Sequence, residues 1–144
     1  MSDPLPQISH VSSALSKLPC SSVSFPKAMY ILVNKDLKMR PGKVASQVAH
    51  AACKVVRECE VAIHGGTSMH PHLMDYLAWV EKGETKIVLQ ADQETMQSFL
   101  SSPDAFPTYD HGETTQVPSW SLTAMAFLPC TTKDSRFESL KLYN

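Results

Sequence analysis

No CxxC pair links the four cysteines, Cys20, Cys53, Cys59 and Cys130, and no secretory signal precedes them, so reduced thiols in an intracellular, cytoplasmic protein are expected. Apolar runs are short: none approaches the ~20 residues that span a bilayer, and stretches such as Met29 to Val33 are strand-sized, so no membrane association is expected. Excess charge is missing too. With 13 Lys and Arg against 14 Asp and Glu, the net charge is -1, which excludes a globally basic coat for nucleic acid. Any such binding must rest on a local cationic patch and weaken with salt. The chain has no P-loop, no dinucleotide fingerprint and no nucleophile elbow, and nucleotide-driven or serine-triad chemistry therefore has no support. His64, His70 and His72 share a loop but match no standard zinc spacing, and neither a metal nor a cofactor is implied.

What is present suits one domain, since 144 residues bury a core without disulfides or a structural metal. Residues 1–26 hold eight serines and four of the ten prolines, with Leu5, Leu15 and Leu18 too sparse to pack, and read as a flexible extension. A transit peptide is disfavoured there because the segment has no Arg and a single Lys, Lys17. The domain, residues 27–144, then alternates. Ala28 to Asn34 is a strand, and Pro41 opens a helix to about Val61. Leu73, Tyr76, Leu77 and Val80 repeat at helical spacing, with Gly83 ending that element. Lys86 to Ala91 is a strand, and Asp92 caps a short helix burying Met96, Phe99 and Leu100 before Pro103. Strands near Thr108 to Asp110 and Leu122 to Leu128 complete a β-α-α-β-α-β-β order. The crossover after the first strand demands a parallel partner while the last pair can be antiparallel, which predicts an α/β fold with a mixed sheet and helices packed on both faces.

The densest chemistry lies in Asp36 to Ala52, DLKMRPGKVASQVAHAA. On a helical wheel, Ala45, Val48, Ala52, Val55, Val56 and Cys59 share one side, while Lys43, Gln47, His50 and Lys54 share the other. Such a polar face is what any surface helix shows. The cations single it out: Lys35, Lys38, Arg40 and Lys43 fall within nine residues at one helix entrance, where the backbone dipole favours phosphate or a developing negative charge.

This stretch resembles the signature of the archaeal and eukaryotic type of peptidyl-tRNA hydrolase, a strand followed by D-x-K-M-x-x-G-K-x-A-x-Q-x-x-H-A. Asp36, Lys38, Met39, Gly42, Lys43, Ala45, Gln47, His50 and Ala51 match it. Further pieces follow in the family's order: Trp79 before a Gly-x-x-Lys turn, the helix start at Asp92 to Glu94, Asp110-x-Gly112-x-Thr114, and the terminal Leu140-Lys141-Leu142-Tyr143. The resemblance covers Lys27 to Tyr143. It implies a four-stranded mixed sheet flanked by helices, often a homodimer, and hydrolysis of the ester joining a peptide to tRNA, which recycles tRNA from stalled translation.

Carried over to this chain, the resemblance implies that Lys43 binds a terminal phosphate or stabilises an oxyanion, that Asp110 holds a water or orients Lys43, and that Thr114 offers a hydroxyl. His50 is expected to support them. Lys35, Lys38, Arg40, Gln47 and Lys54 form the expected RNA-binding footprint. Two departures stand out. Glu113 occupies the place of a usual Arg, and Pro41 that of a commonly basic residue. Without a gap, the family's next Gln and Thr fall on Thr115 and Leu122; one inserted residue near Glu113 aligns Thr115, Gln116 and Thr123 instead. These departures leave open a non-catalytic RNA- or protein-binding descendant of the same fold. A thiol hydrolase using Cys53 or Cys59 is the weaker rival, because packing accounts for both.

Overall fold

The computed structural model describes residues 26–66, 71–112 and 116–144. Five strands form one sheet: β1 (Lys27–Asn34), β2 (Lys86–Ala91), β3 (Ala105–Asp110), β4 (Ser121–Phe127) and the two-residue β5 (Cys130–Thr131). The order is β2-β1-β4-β3, with β5 pairing with the start of β1. Three helices join them: α1 (Pro41–His64), α2 (Pro71–Glu81) and α3 (Gln93–Ser98). The fold is α/β with a mixed sheet, as the element order predicts. β1 and β2 are parallel, Met29 facing Lys86 and Asn34 facing Ala91, while β4 is antiparallel to β1 and to β3. Among the described residues no helix is long and apolar enough to cross a membrane.

Alternation along β1 sorts the core into layers. Met29 and Ile31 pack with Ala51, Val55 and Cys59 of α1 and with Tyr76, Leu77 and Trp79 of α2. Ala28, Tyr30 and Leu32 pack instead with Met96 of α3, Phe127 and Phe137. Two expectations about the helices are corrected. Leu100 is 42% exposed because α3 ends at Ser98, and Phe99 is the last of that segment to reach the core. In α1 the buried stripe is Val44, Gln47, Ala51, Ala52, Val55 and Cys59, whereas Ala45 is exposed. The helix lies rotated relative to the hydrophobicity-only wheel, and Gln47 enters the interior because a polar partner awaits it there.

Because β3 is antiparallel to β4, which is antiparallel to β1, β3 runs in the same sense as β1. The ends of β1 and β3 therefore reach one edge of the sheet, where β4 begins. Asn34, 1% exposed, ties that edge together: its amide nitrogen donates to the Leu122 carbonyl (2.9 Å) and to Gln93 Oε1, and its oxygen accepts from the Asp36 amide (3.1 Å). Asp36 in turn accepts from the backbone N–H of Gln93 at the entrance of α3 (2.9 Å). The C-terminal residues run antiparallel to β2, with Tyr143 donating to the Val88 carbonyl and Gln90 donating to that of Lys141, which covers an otherwise open strand edge.

Candidate active site

The chain enters α1 through a 3-10 turn at Lys35–Leu37, with Lys38 in the left-handed region at φ 49°. Met39, 6% exposed, packs with Val33, Val44 and Val117, which anchors the turn to the sheet. Pro41 follows at the first helical position, where its missing N–H costs nothing. Arg40 donates its backbone N–H to Gln116 Oε1 (2.9 Å). One turn into this entrance, Lys43 Nζ donates to Asp110 Oδ2 at 2.9 Å, with the two side chains 11% and 13% exposed. The expected meeting of these two charges is thus observed.

Asp110 closes β3, an edge strand in which Pro107 is tolerated. Opposite it, β4 carries one residue more than β3: Thr108 pairs with Ala124 but Tyr109 pairs with Leu122, leaving Thr123 as the extra residue of a β-bulge. The bulge reverses side-chain parity, so Leu122 joins the α3 layer and Ala124 the α1 layer. Thr123 is fully buried, and its hydroxyl bonds Gln47 Oε1 and the Thr108 carbonyl (3.2 Å). Thr123 thus points to α1, whereas Leu122 faces the α3 layer.

Gln47, His50, Thr108, Asp110, His111 and Gly112 line a cleft of about 400 Å³ beside the ion pair. The Thr108 hydroxyl is the one buried side-chain polar atom without a hydrogen-bond partner among the described residues. Gly112, at φ +86°, passes so close to Ser119 that a Cβ would lie 3.0 Å from its Cα. His50 is exposed on the rim. A second depression, sharing His50, Thr108, Tyr109 and His111, continues the cleft toward Lys54, Arg57 and Trp120.

The remaining candidates divide. Lys54 borders the second depression and donates to the Pro107 carbonyl. Lys38 and Arg40 are exposed at the turn, while Lys35 opens onto a separate hollow with Asp92 and Lys141. Thr114, Glu113 and Thr115 lie outside the described residues, as does His70. His111, Arg57 and Trp120 were not singled out by sequence reasoning. Their only signals were the adjacency of His111 to Asp110 and the helical spacing of Arg57 three residues beyond Lys54.

Burial raises the Cys59 thiol to about 12, and Cys130, desolvated and facing Asp134, is also pushed up to about 12. Neither is a ready thiolate. Cys53 is exposed and does not line the cleft.

An ammonium and a carboxylate meeting at the carboxyl edge of a mixed sheet, next to an open helix entrance, define an α/β protein equipped for polar chemistry in a cleft. The family described as Peptidyl-tRNA hydrolase PTH2 matches residues 27–143, and the chain belongs to that family. It is 35% identical over 125 residues to a peptidyl-tRNA hydrolase of Pyrobaculum aerophilum, covering 80% of this chain and 96% of that protein. A probable peptidyl-tRNA hydrolase 2 of Caenorhabditis elegans is 32% identical over 103 residues, 67% of this chain and 30% of the relative. A peptidyl-tRNA hydrolase of Metallosphaera sedula is 31% identical over 77 residues, 53% of this chain and 57% of the relative. The matched part thus spans less than two thirds of the C. elegans and M. sedula proteins.

Proposed function

We propose that the chain hydrolyses the ester between a peptide and the 3′ end of tRNA, releasing tRNA for reuse. The observation that carries this reading is the largely desolvated Lys43–Asp110 pair at the entrance of α1, beside a cleft of about 400 Å³. An ester carbonyl placed near Lys43 meets a fixed positive charge where the oxyanion develops, and the dipole of α1 adds to it. Asp110 holds the ammonium through Oδ2 and turns its second oxygen to an attacking water. The water oxygen bonds to the carbonyl carbon, the bond to the ribose oxygen breaks, and the water's proton passes to that oxygen. A peptide acid and a tRNA with a free terminal hydroxyl result.

His50 and His111 border the cleft where that proton must travel, and the Gln47–Thr123 contact fixes the wall between α1 and β4. Lys38, Arg40 and Lys54 supply phosphate contacts, so binding weakens as salt rises.

The deciding measurement is release of an N-acetylated amino acid from its tRNA by the purified full chain, wild type against Lys43→Ala and Asp110→Ala. Turnover by the wild type with a large loss in both variants is expected. Tight tRNA binding without turnover, unaffected by either substitution, would instead identify a non-catalytic RNA-binding descendant.

A further inference from the structure

Trp120 is 66% exposed, an unusual position for the largest apolar side chain, and its backbone sits at φ +64° where bulky residues are strained. The turn is nonetheless tightly held. The Trp120 N–H donates to the Asp110 carbonyl at 2.5 Å, and the indole stacks at a tilt on His111, ring centroids 4.5 Å apart. The indole thus contacts His111 and remains largely exposed. Beneath it lies the depression of about 250 Å³ that continues from the cleft. Lys54 and Arg57 border this depression, and among the described residues no carboxylate lines it and neither cation pairs with an acid.

We propose that Trp120, braced by His111, is a stacking platform for an unpaired base at the 3′ end of the RNA substrate, with Lys54 and Arg57 receiving the adjoining phosphates. The proposal rests on the hydrolase reading of the cleft and assigns its substrate subsite. An aromatic face accepts any base, and flanking cations track the backbone, which is how single strands are held without sequence readout. Phosphates supply the negative charge that Lys54 and Arg57 lack from acids among the described residues, which favours RNA over an uncharged polypeptide surface. The bond from Trp120 to Asp110 sets the distance from platform to ion pair.

Trp79, the other tryptophan, is 1% exposed, so quenching of intrinsic fluorescence by an added oligonucleotide reports Trp120. A single-stranded oligonucleotide with the tRNA 3′-terminal sequence should quench the full chain, whereas a blunt duplex of the acceptor stem should not. Trp120→Gly removes the ring while relieving the positive φ, so the fold is kept. It should raise KM for N-acetylated aminoacyl-tRNA by about tenfold with kcat within about threefold, while Trp120→Phe stays within about threefold in KM. Lys54→Ala and Arg57→Ala should each lower the salt dependence of binding by about one phosphate contact. An unchanged KM in Trp120→Gly, or absence of quenching by the single strand, overturns the platform. Should the wild type cleave nothing, the hydrolase reading falls, and the quenching titration still decides whether Trp120 stacks on RNA.

Discussion

Lys43 Nζ and Asp110 Oδ2 lie 2.9 Å apart across 67 residues of sequence, each side chain shielded to within 13% exposure, so each charge provides most of the other's solvation. This makes the pair both a structural tie and a source of field at the cleft.

Lys43→Met and Asp110→Asn should each lower kcat by about 10²–10³, because a charge aimed at a developing oxyanion is worth that much. The double variant should be little worse than either single one, since the two act as a unit. Lys43→Met also strands the carboxylate and should cost on the order of 3 kcal/mol in denaturant unfolding. Steady-state kinetics within threefold of wild type for both would rule out this assignment.

Thr123 and Thr108 stand side by side with opposite expected behaviour. Thr123→Val deprives buried Gln47 of its partner and should destabilise by about 1–3 kcal/mol. Thr108→Val replaces a hydroxyl that bonds nothing among the described residues with a methyl of the same shape, and should be neutral or stabilising by up to about 1 kcal/mol. Urea unfolding of both variants checks the contrast, and a reversed order would refute it.

Arg136 is the hub of a second ionic cluster. Its guanidinium grips both oxygens of Asp104 at 3.0 and 2.8 Å and bonds Asp134 at 2.8 Å, while stacking over Phe127 and Phe137. The bond from Arg136 holds the Asp134 carboxyl below its ordinary value. A carboxylate depressed in the folded state contributes stability that is complete above its unfolded pKa, ~3.9, and disappears as pH falls through the folded value. Arg136→Met should therefore cost on the order of 3 kcal/mol at pH 7 and lose part of the acid-dependent decline that the wild type shows below pH ~4. Thermal melts from pH 7 to 2.5 test this, and parallel curves would contradict it.

Thiol labelling separates the cysteines. At pH 8, iodoacetamide should alkylate exposed Cys53 in the folded protein, while Cys59 and Cys130, both raised to about 12, react only after unfolding. Peptide mapping identifies the modified sites, and retained hydrolysis after Cys53 alkylation would exclude Cys53 as a nucleophile.

Periodicity made the scaffold legible. The run from Lys27 to Asn34 forms a strand because it feeds two apolar layers, and Asp92 caps α3 by accepting from Thr95 as its chemistry requires. β5 escaped because two residues after Pro129 carry no alternation to detect. The family motif marked Lys43, but single-sequence chemistry could not tell which motif residues act and which build. Asp36 proves to hold the entrance of α3, and Met39 to fill the core. Gln47 was misplaced for a related reason: a wheel ranks side chains by hydropathy, whereas burial of an amide depends on a partner 76 residues away. Trp120 and His111 meet only because the loop after β3 folds back on itself, a contact between segments that no local pattern encodes.

The unmatched residue in β4 imposes a counting rule on the edge of the site. Swapping side chains around Thr123 alters local fit, but removing one residue there restores ordinary pleating and swings Leu122 and everything before it to the opposite layer. The loop that presents Trp120 would then leave from the wrong side of the sheet. This stretch should therefore accommodate changes of spelling far more readily than changes of length.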